Sequence, residues 1–234
     1  FKLLLPIAIW TAGSPVGGIH YVELETNRRE FQFQLSAKPI SVRLDPYNDV
    51  FRLPGILEAP ASLGQTYGAQ TITAYLPEND NLGYQQFAQG VAEKILSEYE
   101  NASLPQGSLW VFGRENSLEK SFIVQLKKSG IEVGEKGVRF PERFYAWEDH
   151  SFVFTLHRTD QKKGTMTWVI VGNKESIPGL MRKLPHYGKY GYLVFEGDAP
   201  DNRNKGTWPS NPAGLQKVFQ EGVPRLLPEQ TPLV

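Results

Sequence analysis

The sequence predicts an α/β protein, α+β overall, in which a small antiparallel β-sheet or sandwich precedes a three-layer α/β domain with a mixed sheet. The first fifty residues contain short apolar stretches separated by turn residues, a pattern typical of antiparallel strands. In the second half, strand-like apolar stretches alternate with segments of helical periodicity, which favours a sheet covered by helices. Between these parts, Pro54, Gly55, Pro60 and Gly64 interrupt a connecting segment.

These observations divide the chain into four parts. We predict a β portion over residues 1–50 and a linker with one short helix, near residues 61–67, over residues 51–68. The α/β domain covers residues 69–220, and a proline-containing tail over residues 221–234 drapes over the surface or frays. The chain begins at Phe1 without an initiator methionine, so we expect a processed product or a piece of a longer protein.

Composition excludes several functions. The chain has 234 residues, of which 40% are hydrophobic and 21% charged, and this is typical of a globular protein with a substantial core. The 25 Lys and Arg residues balance the 25 Asp and Glu residues, so no net field attracts nucleic acid or an anionic membrane. No cysteine is present, which excludes disulfides, thiolate metal ligands and a cysteine nucleophile. The longest apolar run, residues 3–10, is about half the length of a membrane-spanning helix.

Four strands are predicted in the first fifty residues. Residues 1–11 are apolar and form the first strand, and residues around 21–24 form the second. In the third, Phe31, Phe33 and Leu35 lie on one face, because polar residues alternate with them. Residues 40–44 form the fourth strand.

The first elements of the α/β domain follow from periodicity. Residues 71–76 form a strand, and residues 79–81 supply an N-cap for a long amphipathic helix from Tyr84 to Tyr99. Residues 109–112 form the next strand. Asn116 and Glu119 have capping-box spacing, which predicts a helix that continues through Leu118 and ends at Gly130.

The later elements complete the mixed sheet. Residues 138–147 fit no single pattern. Residues 152–156 and 166–171 form two strands joined by a hairpin turn at residues 160–164. A short helix over residues 177–183 then leads to a buried strand at residues 192–195.

No catalytic motif is recognisable. The histidines are His20, His150, His157 and His186, and no HExxH motif or G-x-S-x-G elbow occurs. Residues 148–151, EDHS, place a carboxylate, an imidazole and a hydroxyl side by side, but sequence neighbours point apart in an extended chain. We therefore predict no catalytic residue, no cofactor-binding residue and no metal ligand.

Two regions contain candidate ligand-facing residues. The carboxyl ends of the parallel strands gather Glu78, Asn79, Arg114, Glu115, Asn116, Asn173 and Lys174 at one rim, where α/β proteins bind ligands. Capping of helices explains the three asparagines equally well, and we favour it. The second region, residues 182–190, combines basic and aromatic side chains, but three positive charges without a net excess make a weak case for nucleic-acid binding, and we predict no nucleic-acid partner. The candidates retained are Arg114, Asn173, Lys174, His186, Tyr187 and Lys189.

Three segments resemble the C-terminal region of bacterial proteins similar to aminopeptidase-N-like zinc metallopeptidases. They are VRLDPYNDVFR (residues 42–52), LPHYGKYGYLVFEG (residues 184–197) and KGTWP (residues 205–209), and the resemblance extends over residues 1–219. In that family a β-sandwich with a DP-x-x-D-V-F-R phrase follows the catalytic domain, and an α/β domain closes the chain. The zinc-binding HExxH motif belongs to the preceding domain, so the resemblance transfers no catalytic residue.

The resemblance implies a non-catalytic C-terminal accessory or interaction module of a larger bacterial peptidase-like protein. Its partner would be the upstream catalytic-like domain of the same chain, and the parent protein would be in the bacterial envelope or secreted. This hypothesis predicts exposed apolar surface on the first strands. The alternative is a small-molecule or peptide-binding, or weakly hydrolytic, α/β domain that uses the rim loops near Arg114, Asn173 and Lys174.

Overall fold

A computed structural model of the chain describes residues 2–55, 58–77, 83–97, 104–114, 116–160, 163–209 and 215–229. These residues form two compact units, the first made of residues 1–58 with 211–234 and the second of residues 59–210. The elements are, in chain order, β1 (Leu3–Thr11), β2 (Gly18–Leu24), β3 (Pro39–Leu44), α1 (Leu63–Tyr67), β4 (Ile72–Leu76), α2 (Tyr84–Val91), β5 (Lys94–Ser97), β6 (Ser108–Phe112), α3 (Glu119–Lys128), β7 (Glu132–Val133), β8 (Gly137–Arg139), β9 (Phe144–Ala146), β10 (His150–His157), β11 (Thr165–Ile170), α4 (Ile177–Lys183), β12 (Tyr192–Glu196), β13 (Asp201–Gly206) and β14 (Gln216–Val218).

The first unit is built on a four-stranded antiparallel sheet with the strand order β14-β3-β1-β2. The predicted strands at residues 1–11, 21–24 and 40–44 are confirmed as β1, β2 and β3. The C-terminal strand β14 pairs with β3, so residues 215–220 belong to this unit, whereas the sequence grouped them with the α/β domain. The local sequence around residues 216–218 does not show that they pair with a strand so distant in the chain.

Segments that are not part of this sheet cover part of each of its faces. Phe31, Phe33 and Leu35 pack against the face that carries Ile7 and Ile9. The prediction of a strand at residues 31–35 is wrong, because this segment has no strand pairing. Its alternation is nevertheless kept, since the apolar side chains are half-buried and the polar ones between them exposed.

The described part of the tail packs on the opposite face. Val223 and Leu227 lie against a buried cluster that includes Trp10. The indole Nε1 of Trp10 donates a hydrogen bond of 2.8 Å to Leu226 O, and Gly17 N donates to the same oxygen at 3.0 Å. Residues 223–227 are therefore held by hydrogen bonds as well as by apolar contact.

The DPYNDVFR phrase closes on itself through a buried carboxylate. Asp45 is 1% exposed, and its carboxylate accepts hydrogen bonds from Val50 N at 3.2 Å and from Arg52 Nε at 3.0 Å. The guanidinium of Arg52 also binds Glu58 with two hydrogen bonds, of 3.0 and 2.6 Å. Asp45 has φ of +47°, a conformation that aspartate and asparagine tolerate better than most residues.

The second unit has a seven-stranded sheet in the order β13-β12-β10-β11-β6-β4-β5. Neighbours among β5, β4, β6 and β11 are parallel, whereas β10, β12 and β13 pair antiparallel, so the predicted mixed sheet is confirmed. Helix α3 covers one face of this sheet together with a small three-stranded sheet, β7-β8-β9. Helices α1, α2 and α4 cover the other face, which completes three layers.

The predicted long helix over residues 84–99 is wrong beyond Val91. Helix α2 ends at Val91. The next residue, Ala92, is extended with φ of −133° and ψ of 145°, and the chain continues as β5 in parallel with β4. The apolar residues Ile95 and Leu96 suit a helix stripe or a strand, and pairing with a sheet edge selects the strand. The predicted N-cap residues 79–81 and the predicted helix end, Tyr99, lie outside the described residues.

The capping box predicted at Asn116 is also wrong. Helix α3 begins at Glu119, after Leu118, and the Asn116 Oδ1 atom accepts a hydrogen bond from Leu118 N at 3.0 Å. Asn116 therefore closes a turn before the helix instead of capping it. The predicted short helices are confirmed as α1 and α4, and the segment that fitted no pattern forms β8 and β9.

Helix α1 is attached to the large sheet through hydroxyl groups. Thr66 Oγ1 lies 2.7 Å from Thr165 Oγ1 and 2.8 Å from Thr167 Oγ1, and Thr167 Oγ1 lies 3.0 Å from Thr155 Oγ1. These four threonines are at most 3% exposed. Each hydroxyl can both donate and accept a hydrogen bond, so the cluster satisfies its own polar atoms without water.

We expect Asp45→Asn to destabilise the first unit by about 2–3 kcal/mol, because breaking a buried ion pair is costly and Arg52 keeps only Glu58. Asparagine tolerates the positive φ, so the loss of stability comes from the missing negative charge and not from backbone strain. Urea unfolding measures the effect. Asp149→Asn, at an exposed position, serves as the control, and equal stability of the two variants would contradict the structural role of Asp45.

A second prediction concerns Tyr67, whose buried hydroxyl has no hydrogen-bond partner in the described parts of the chain. Burial raises the pKa of Tyr67 to about 12 from 10.0. The folded state therefore favours the neutral phenol. The contribution of Tyr67 to the stability of the folded state is fully present below pH 10 and is lost as the pH rises towards 12.

At neutral pH we expect the free energy of unfolding of Tyr67→Phe to equal that of the parent or to exceed it by up to about 1 kcal/mol, because the substitution removes an unsatisfied hydroxyl. The advantage of this variant over the parent should grow between pH 10 and 12, as measured by denaturant unfolding at each pH. Tyr21→Phe, at a side chain 64% exposed, is the control. A constant difference across this pH range would contradict the prediction.

Candidate functional site

The carboxyl ends of β4, β6 and β11 form the rim at which the sequence predicted a ligand. Of the residues named there, Glu78, Asn79 and Glu115 lie outside the described part of the chain. The guanidinium of Arg114 lies over the ring of Trp147, 4.6 Å from its centroid, and its Nε is 3.9 Å from a carboxylate oxygen of Glu119. Arg114 is therefore held against the fold by an aromatic ring and a carboxylate.

Asn173 also has a structural role at this rim. Its Oδ1 accepts a hydrogen bond from Ser176 N at 3.1 Å, and its Nδ2 donates to Asp198 Oδ1 at 2.5 Å. Lys174 is exposed in the 3-10 helix that follows. A recess at the rim, between Tyr75 and Asn116, is too narrow to admit a water molecule. Of the three asparagines for which the sequence favoured capping, Asn173 caps a helix, Asn116 closes a turn and Asn79 lies outside the described residues.

The EDHS segment does not assemble a catalytic group. Ser151 is buried, accepts a hydrogen bond from Gly172 N at 3.1 Å and lies 3.3 Å from Ser176 Oγ. The preceding side chain, His150, bonds through Nδ1 to Ala146 O at 3.0 Å. Alternate residues of β10 face opposite sides of the sheet, so imidazole and hydroxyl point apart, as the sequence predicted.

The glycine-rich segment at residues 188–191 supports helix α1. Leu63 N donates a hydrogen bond to Tyr190 O at 2.9 Å, and Gly64 N donates to Gly188 O at 2.7 Å. These bonds satisfy two of the free amides of the first helical turn. A Cβ atom on Gly191 would lie 2.4 Å from the Trp208 ring, so the close approach here requires glycine.

The remaining candidates form part of an aromatic and basic cluster. Tyr187 packs on Phe195, with 5.4 Å between ring centroids, and lies 5.8 Å from Tyr190. Lys189 is 5.2 Å from the Tyr190 ring, and Lys205 Nζ is within 5.6 Å of both tyrosine rings. His186, the sixth candidate, is exposed. The structure therefore brings Tyr187 and Lys189 together and places Lys205, which the sequence did not indicate, beside them.

A larger cleft opens elsewhere in the second unit, with a volume of about 460 Å³. One wall is the turn between β8 and β9, and the other is formed by β12 and the edge strand β13. The lining residues are three aromatic residues, a proline and four polar residues: Phe140, Tyr145, Tyr192, Pro141, Glu142, Arg143, Arg203 and Asn204. Unlike the recess at the rim between Tyr75 and Asn116, this cleft has room for a small ligand.

Packing fixes the aromatic part of the cleft. The ring of Phe140 stands at 90° to that of Tyr145, with 5.6 Å between centroids, and lies 5.4 Å from that of Tyr192. Phe140 and Tyr145 are at most 4% exposed, whereas Tyr192 is half-buried. A cross-strand glycine, Gly206, leaves room for the Tyr192 ring, because a Cβ there would lie 2.2 Å from the Tyr192 hydroxyl.

Contacts within the fold orient the two arginines of the cleft. The guanidinium of Arg143 lies 5.3 Å from the centroid of the Tyr145 ring. Arg203 donates through Nε to the carboxylate of Glu196, whose Oε1 also lies 3.9 Å from His150 Nε2.

Sequence reasoning missed this cleft because its walls are separated by about fifty residues. The available signal was the density of aromatic and basic residues over positions 139–147.

Comparison of the chain with protein-family models, with curated proteins and with solved structures found no match. Among the residues that the structure describes, no three His, Asp or Glu side chains cluster as metal ligands. The helices in those ranges are all too short or too polar to cross a membrane.

We expect Gly191→Ala to destabilise the second unit by about 3 kcal/mol, because the added methyl group would collide with Trp208 and with Ala61 O, 2.8 Å away. Gly188→Ala is the matched control. A Cβ at Gly188 would make only ordinary contacts, at 3.5 Å and beyond, and its φ of −52° suits alanine. Thermal unfolding of both variants tests this, and equal melting temperatures would contradict it.

Proposed function

We propose that this chain is a non-catalytic accessory module that packs against an upstream, peptidase-like domain of the same polypeptide. The observation that carries the proposal is an apolar patch on the first sheet. Leu4 on β1 is 55% exposed and Tyr21 on β2 is 64% exposed. Because Tyr21 is the cross-strand partner of Pro6, two residues from Leu4, both side chains lie on the same face.

The surroundings of this patch support a docking role. The rest of the same face is covered by the C-terminal segment around Val223 and Leu227, so the exposure is local. Lys2 and Glu23 pair at 2.7 Å next to Leu4, which gives the patch a charged border. An apolar centre with a polar rim is typical of protein–protein contact surfaces.

The identity of the partner rests on the resemblance in residues 42–52, 184–197 and 205–209. In the first of these segments, Asp45 and Arg52 bond to each other. Trp208, in the third, donates a hydrogen bond of 2.6 Å to Thr155 O. These residues support the fold, which suits motifs shared by non-catalytic modules. We extend the proposal to a parent protein that is exported to the bacterial envelope or secreted.

The alternative of ligand binding or weak hydrolysis at the rim loops has less support. Arg114 and Asn173 are engaged in contacts within the fold, and the recess beside Asn116 is narrow. Lys174 alone among the three predicted rim residues is exposed.

The test uses the protein encoded by the reading frame upstream of Phe1. We expect a domain with an HExxH motif there, and we expect it to bind the present chain when the two are purified separately. Leu4→Lys should weaken that binding at least about tenfold, because a charge would be buried at the contact. Val124→Lys, at a side chain 57% exposed on α3, is the control. An upstream sequence without such a domain, or equal binding by both variants, would contradict the proposal.

A further inference from the structure

We propose that the cleft between the β8–β9 turn and strands β12 and β13 binds a small zwitterion, a carboxylate and an ammonium on one compact ligand with an apolar side chain. Free amino acids and dipeptides share this chemistry. The inference does not rest on the proposed function, because it concerns a different unit and a different surface. The volume of the cleft, about 460 Å³, is within the usual range for small-molecule sites.

The carboxylate would bind between the two arginines. A guanidinium has five N–H donors in a planar fork that matches a carboxylate. In Arg203 the bond to Glu196 uses Nε, and among the described residues Arg203 has no other carboxylate partner. In Arg143 the ring of Tyr145 holds the guanidinium plane, and no ion pair to a described residue competes for its donors. Both groups are thus oriented before a ligand arrives.

The ammonium group of the ligand is inferred from a carboxylate of the protein, that of Glu142, in the same cleft. Glu142 is exposed, lines the cleft and forms no ion pair with any residue in the described ranges. Its charge would repel a simple anion but would attract an ammonium group. With Glu196 beside Arg203, the two positive charges are balanced by two negative ones. A cleft without net charge but with separated charges favours a zwitterion over phosphate or a polyanion.

The apolar side chain of the ligand would contact Tyr192. This ring is half-buried and contacts two further aromatic rings, that of Phe140 at 5.4 Å and that of Trp208 at 5.1 Å between centroids. Phe140 is stacked in turn on Phe154 in the core of the unit, with 6.3 Å between centroids. A rigid aromatic wall of this kind offers apolar contact and can also stabilise a nearby cation.

Titration calorimetry with defined probes tests the ligand class. We expect L-phenylalanine or L-leucine to bind at concentrations below about 10 mM. N-acetyl-L-phenylalanine and L-phenylalaninamide each lack one charge and should bind at least about tenfold more weakly. Tighter binding of L-phenylalanyl-L-phenylalanine than of the single amino acids would identify a dipeptide as the source, and the reverse a free amino acid. Failure of both amino acids and the dipeptide to bind, or equal binding of inorganic phosphate, would overturn the proposal.

Variants test the assigned groups. Arg143→Gln should weaken the binding of L-phenylalanine at least about tenfold. Glu142→Gln should do the same for L-phenylalanine but should strengthen the binding of N-acetyl-L-phenylalanine, since this probe is an anion without an ammonium group and Glu142 repels it. Arg182→Gln, at an exposed position on α4, is the matched control. Unchanged binding by Arg143→Gln, with melting temperatures equal to the parent's, would overturn the assignment.

Discussion

Burial of both faces of the central strands is the constraint on which the second unit depends. In β6, Leu109 and Val111 face one apolar cluster, while Trp110 and Phe112 face the other. Strands of this kind must be covered on both sides, because an uncovered face would expose large apolar side chains. The helices α1, α2 and α4 on one side, and α3 with the small sheet on the other, are the consequence. Loops and rim residues then connect layers whose positions are already fixed.

This constraint also explains where polar residues are used. Between layers, hydroxyl groups such as those of Thr66 and Thr167 satisfy one another, since unpaired polar atoms are costly in a dry interior. At the rim, Asn173 accepts a hydrogen bond from Ser176 N, and Arg114 lies over the ring of Trp147. The cleft at β12 and β13 differs, because it lies at the edge of the large sheet. Edges are not enclosed by layers, so charged side chains such as Glu142 and Arg143 remain accessible there.

The two proposed surfaces therefore have different origins. In the first unit the patch at Leu4 and Tyr21 is an apolar area that the tail segment does not reach. In the second unit the cleft results from placing a three-stranded sheet next to a sheet edge. One surface suits a protein partner and the other a small ligand, and a module of a larger protein can combine both roles. Neither surface requires a reaction centre.

The sequence by itself determined the fold class, the strands with continuous apolar character, and the short helices α1 and α4, because these depend on local patterns. It also predicted capping at the rim, which the structure shows at Asn173 but not at Asn116. Only the tertiary structure decided that residues 94–97 join the sheet, that Phe31 and Phe33 pack without strand pairing, and that residues 216–218 return to the first sheet. The cleft belongs to this second group, since Arg143 and Arg203 both line it although sixty residues separate them in the chain. The physical reason is the same in each case: pairing and packing between distant segments outweigh local propensities that differ by less than about 1 kcal/mol per residue.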